Sequence, residues 1–80
     1  MGKKERKNPT LDLHGVKHAD VENTVDRFIY NHREYSGWAM IITGKSYRMK
    51  TLVLAVLDRY SFEKIQSNDI FNTGYIKVYL

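Results

Sequence analysis

Apolar and polar residues alternate one by one at Leu11-Asp12-Leu13-His14. This period of two marks a strand with one face covered and one face open. It predicts a strand from Thr10 to His14, with Leu11 and Leu13 turned inward and Asp12 and His14 on the other side. The pattern then changes to a helical one. Val21, Val25, Phe28 and Ile29 follow the spacing i, i+4, i+7, i+8, with Tyr35 further along the stripe. They predict an amphipathic helix of roughly four turns that ends at Gly37. Its polar face carries Glu22, Asn23, Asp26, Arg27 and Arg33. Trp38 to Thr43 is nearly all apolar and reads as an interior strand. Gly44-Lys45-Ser46 interrupts it, and Ser46 is placed to cap a second helix bearing Met49, Leu52, Val53, Val56, Leu57 and Tyr60. A third strand is expected from Phe62 to Ser67, then turn chemistry at Asn68-Asp69 and Asn72-Thr73-Gly74. The last strand, Tyr75 to Leu80, sets Ile76, Val78 and Leu80 on one face and Tyr75, Lys77 and Tyr79 on the other.

The order β-α-β-α-β-β predicts an α/β two-layer sandwich. Right-handed crossovers would keep the first three strands parallel, and a hairpin would join the last two. The expected sheet is mixed and four-stranded, with both helices on one face. Putting the leucines of the first strand under the helices leaves Asp12, His14, Tyr75, Lys77 and Tyr79 on the open face. Residues 1–9 form a short basic arm ending at Pro9, and residues 10–80 form one domain. There is no internal repeat.

Composition narrows the function classes. At 42% hydrophobic and 28% charged, the chain of 80 residues is globular rather than disordered. It has no cysteine, which removes disulfides, thiolate metal sites and cysteine nucleophiles. Its longest apolar run, Trp38 to Ile42, is too short to cross a bilayer, so no membrane association is expected. The charged start has no apolar stretch behind it, so no leader is expected, and Arg6 stands where a myristoylation signal wants Ser or Thr. These features suit a cytoplasmic monomer. The net charge of +4 suits a polyanion, and Lys3, Lys4, Arg6 and Lys7 in the arm supply much of it.

Three groups of residues could carry chemistry. Asp12 can orient the His14 ring and raise its basicity, as acid–base catalysis requires; the same two residues could equally be solvent-facing strand positions. Thr43-Gly44-Lys45-Ser46 joins a strand to a helix start, where backbone amides, Lys45 and Arg48 favour an anion. A cap without a ligand would explain the same residues. The triphosphate P-loop is excluded because Ala39 occupies the position of its first glycine. Tyr75, Lys77 and Tyr79 alternate rings and charge on a flat face and could stack on unpaired bases, although tyrosine also favours strands in general. His18 and His32 form no ligand cluster with His14, and no Ser-His-Asp order or Gly-x-Ser-x-Gly elbow is present.

Leu11-Asp12-Leu13-His14-Gly15, Ile41-Ile42-Thr43-Gly44-Lys45 and the closing Gly74-x-x-x-Val78, in this element order, resemble the Smr (small MutS-related) domain. That family opens with Leu-Asp-x-His, usually followed by Gly. It carries Thr/His-Gly-x-Gly between the second strand and second helix, and its closing strand is usually preceded by Gly. The resemblance spans residues 10–80. It implies the fold of the C-terminal domain of bacterial translation initiation factor three. It also implies nucleic-acid binding and endonuclease activity, on RNA ahead of DNA, with the ribosome as a possible site of action. The implied functional positions are Asp12, His14, Thr43, Gly44 and Lys45, and a divalent cation such as Mg²⁺ is the only cofactor this reading admits. The chain departs from the family at Ser46, where the second motif has its second Gly. That change bears on turnover more than on membership. It keeps open a module that binds nucleic acid or the ribosome without cleaving, and a protein-interaction domain.

Overall fold

The computed structural model describes residues 8–62, the backbone of 64–66, and residues 74–80. Most of the basic arm, the Asn68-Asp69 turn and Asn72-Thr73 lie outside the described residues. The elements are β1 (Thr10–Asp12), a 3₁₀ turn (His18–Asp20), α1 (Val21–Asn31), β2 (Trp38–Ile42), α2 (Tyr47–Leu57), β3 (Lys64–Gln66) and β4 (Tyr75–Tyr79).

The result is a small α/β fold, with two helices against a mixed sheet. β1 and β2 are parallel, with Leu11 opposite Ile41 and Asp12 opposite Ile42. β4 runs antiparallel to β2, with Trp38 opposite Tyr79 and Ile42 opposite Tyr75. β4 therefore lies between β2 and the short β3 backbone, which pairs with it from Lys64–Tyr79 to Gln66–Lys77. The register sorts the side chains by face. Ala39, Ile41, Ile76 and Val78 are buried with Leu13 and with Val21, Val25, Phe28, Met49, Val53, Val56 and Leu57 of the helices. Trp38, Met40, Ile42, Tyr75, Lys77 and Tyr79 face the other way and stay partly exposed.

The ends of β1, α1 and α2 differ most from the sequence expectation, and side-chain hydrogen bonds mark each of them. β1 stops at Asp12 because its Oδ1 accepts the His14 backbone N–H at 3.0 Å, an Asx turn that diverts the chain. Val16 N–H then bonds Leu13 O at 3.0 Å across Gly15, whose φ of +83° suits glycine. His14 thus sits in a turn rather than a strand. α1 ends at Asn31, well before Gly37, because side chains just beyond it take its last carbonyls. His32 Nδ1 bonds Phe28 O at 2.8 Å, and Arg33 donates to Tyr30 O at 2.8 Å. α2 ends at Leu57 and leaves Tyr60 outside, where its hydroxyl donates to Asp26 at 2.7 Å.

Candidate functional site

The β1–α1 turn, the β2–α2 turn and the entry to β4 converge at one end of the sheet. Asp12 Oδ1 accepts two bonds from one residue: the His14 backbone N–H and, at 2.7 Å, its Nδ1. These bonds, the backbone one first and the ring one second, hold the Asp12 carboxyl below its ordinary value of 3.8. Asp12 is therefore an acceptor at neutral pH, and Nδ1 carries the shared hydrogen. In the neutral ring, Nε2 is then the lone-pair nitrogen. Both side chains are open to solvent, 68% exposed for His14 and 58% for Asp12.

Nε2 faces the second motif. A Cβ on Gly44 would lie 3.5 Å from it, so ring and turn are in contact range. Gly44 has φ +71°, the left-handed conformation that costs a residue with a Cβ about 1–2 kcal/mol. The amides of Thr43 and Gly44 both donate to Gly74 O, at 2.8 and 3.0 Å. Gly74 closes against the turn, and a Cβ there would meet Gly44 Cα at 3.6 Å. The three glycine-bearing motifs are thus one structural unit.

Ser46 caps α2 as expected, its Oγ accepting Met49 N–H at 3.1 Å. Its φ of −72° is ordinary, so a Ser here is unstrained, and Gly44 bears the left-handed geometry of the turn. Because Thr43 and Gly44 direct their amides inward, an anion at this turn would meet amides only from Lys45 onward. Lys45 and Arg48 are exposed at the same turn.

The sequence reading missed Lys50. Its side chain is fully buried, and its ammonium donates to Gly44 O at 2.8 Å. Burial first, and Lys45 second, push it below the usual lysine value. The signal lay in the spacing: Lys50 stands at i, i+3, i+7 with Val53 and Leu57, on the stripe that faces the core.

The open-face residues divide. Tyr75 lies at the polar end, since Asp12, Ile42 and Tyr75 are opposed across three strands, about 10 Å at the usual strand spacing. Lys77 opposes Met40 at mid-face. Tyr79 pairs edge-on with Trp38 at 5.3 Å, roughly 13 Å along the strand from Tyr75. At that far end a cavity of about 370 Å³ opens among Ile29, Tyr30, Tyr35, Tyr60, Phe62 and Leu80.

Among the described residues, no three His, Cys, Asp or Glu side chains converge as a metal site. Asp12 Oδ2 remains as a single carboxylate oxygen that could join substrate phosphates around a Mg²⁺ ion. No helix among them is long and apolar enough to cross a membrane. No known protein family, curated protein or solved structure matches the chain.

Proposed function

We propose that the chain is an Smr-like nucleic-acid endonuclease acting on RNA, with the four-stranded sheet and one-sided helices of the initiation-factor-three C-terminal fold. The observation that carries this is the His14 ring, bonded to Asp12 at Nδ1 and turned with Nε2 toward the Gly44 turn. In this reading a backbone phosphate rests at the Lys45–Arg48 turn. His14 Nε2 takes the proton of the neighbouring 2′-hydroxyl, whose oxygen attacks phosphorus. The bond to the 5′-oxygen breaks, and that oxygen takes a proton from solvent water as it leaves while the His14 ring gives its proton back to solvent, leaving a 2′,3′-cyclic phosphate and a 5′-hydroxyl. Asp12 holds the ring and stabilises its cationic form. Tyr75, Lys77 and Tyr79 offer stacking and charge to an unpaired strand running down the open face.

A second reading, binding without turnover, is favoured by one observation. The Thr43 and Gly44 amides are both bound to Gly74. The site then has fewer phosphate donors than a glycine-rich turn would give.

One experiment separates them. Labelled single-stranded RNA, duplex RNA and supercoiled DNA are incubated with wild type, Asp12→Ala and His14→Ala, each in Mg²⁺ or EDTA. Cleavage by wild type that both substitutions abolish supports the nuclease. Cleavage undiminished in His14→Ala refutes the role given to His14, and binding without cleavage in all three proteins supports the module.

A further inference from the structure

Lys50 is a full charge on the apolar stripe of α2, beside Met49, Val53 and Leu57, with no exposed surface. Burying an ammonium is costly without a compensating partner. The ion pairs among the described residues, Asp12–His14 and Glu22–Arg59, do not include it. Its partner is a carbonyl, Gly44 O, which also accepts the Thr43 hydroxyl at 2.8 Å. Both lone pairs of that oxygen are therefore directed into the protein.

This fixes the other end of the same peptide. No cis bond occurs among the described residues, so the Gly44–Lys45 peptide is trans, with its C=O and N–H pointing in opposite directions. Pinning Gly44 O inward turns Lys45 N–H outward. The two preceding amides are bound to Gly74, so Lys45 carries the first amide of the turn that faces away from the core. The ammonium lies at the negative end of this peptide dipole and strengthens its N–H as a donor.

We propose that Lys50 is a positioning residue which, through the Gly44 carbonyl, presents the Lys45 amide to a phosphate oxygen. The inference rests on the phosphate-binding part of the proposed function and is independent of cleavage. It also accounts for a charge where an apolar side chain would pack as well.

The test is titration of inorganic phosphate into the ¹⁵N-labelled chain, followed at the backbone amides, for wild type, Lys50→Met and Lys50→Gln. Met keeps the stem without the charge, and Gln keeps a donor without the charge. In wild type the Lys45 amide should shift saturably. Lys50→Met should weaken phosphate by about tenfold, the order of one lost charge-assisted contact, while its Tm stays level or rises. Lys50→Gln should fall between. A wild-type Lys45 amide that ignores phosphate overturns the inference, whatever the variants do. So does wild-type affinity in either variant, or an affinity loss that only follows a falling Tm, since a purely structural lysine would behave that way. Phosphate binding by a wild type that cleaves no RNA leaves this inference standing while the nuclease reading falls. RNA cleavage with no shift at Lys45 does the reverse.

Discussion

The two ends of the sheet are built on different principles. At the end where β2 finishes and β4 begins, a set of polar groups is fixed by others at short range: Asp12 to His14, Thr43 and Gly44 to Gly74, Lys50 to Gly44. At the opposite end ring contacts are added to hydrogen bonds such as Tyr60 to Asp26 and Arg33 to Tyr30 O. Trp38 meets Tyr79 edge-on, Tyr60 stacks on Phe62 at 5.4 Å, and the Arg33 guanidinium lies 4.1 Å from the Tyr30 ring centre. Hydrogen bonds depend steeply on distance and angle, whereas ring contacts tolerate sliding. In the proposed reading, the first end places one proton acceptor beside one phosphate. The second is suited to holding flat groups without regard to their sequence.

If this contrast is right, single-atom changes should matter at the polar end and little at the aromatic one. The largest effect should come from His14→Ala, with RNA cleavage falling by at least about 100-fold in a gel assay while the fold is retained, since the ring is exposed. Next is Leu13→Ala. Leu13 touches no substrate, yet it is buried between the two site residues, and its loss should cost about 3 kcal/mol in urea unfolding. Gly44→Ala should cost about 1–2 kcal/mol from the left-handed backbone alone, because a Cβ has room beside His14. A stability loss much larger than this would mean that the turn is held more tightly than its contacts with His14 and Gly74 explain. At the aromatic end, Tyr79→Phe keeps the ring against Trp38 and should change stability and RNA affinity by no more than about 0.5 kcal/mol. A large loss there would break the comparison.

What was legible in the sequence follows the same division. Period-two and period-3.6 patterns report burial, so the faces of β1 and β4 and the core stripes of both helices could be read from residues such as Leu11, Leu13, Val21, Val25, Val53, Leu57 and Ile76, whereas β2, apolar nearly throughout, showed no alternation from which to assign its faces. The proximity of Asp12 to His14 was legible because the two residues are neighbours. Their contact with the Gly44 turn was expected only through resemblance, since nothing in the spacing of residues 14 and 44 fixes how strands align. The ends of β1 and α1 were misplaced because side chains decided them: Asp12 folding back on His14, and His32 and Arg33 taking helix carbonyls. Lys50 was legible by position and overlooked by type, since a lysine on an apolar stripe is normally assumed to reach solvent.

The smallest effect sharpens the comparison most, because it isolates one carboxylate. Asp12 has its pKa lowered by the His14 backbone N–H and then by the ring. A carboxyl depressed in the folded state adds stability that is present above its unfolded value near 3.8 and is lost as pH falls through the lower folded value. The added stability is slight, because the group is exposed to solvent. The change is still visible in the ¹³C resonance of the Asp12 carboxyl, whose midpoint should lie below 3.8, with the His14 backbone amide shifting in step. Asp12→Asn keeps an acceptor oxygen and abolishes the step at His14, and Tyr79→Phe should leave it unchanged. A midpoint at or above 3.8 would mean that the Asp12–His14 contact is not held in solution, and with it would go the orientation of Nε2 on which the polar end depends.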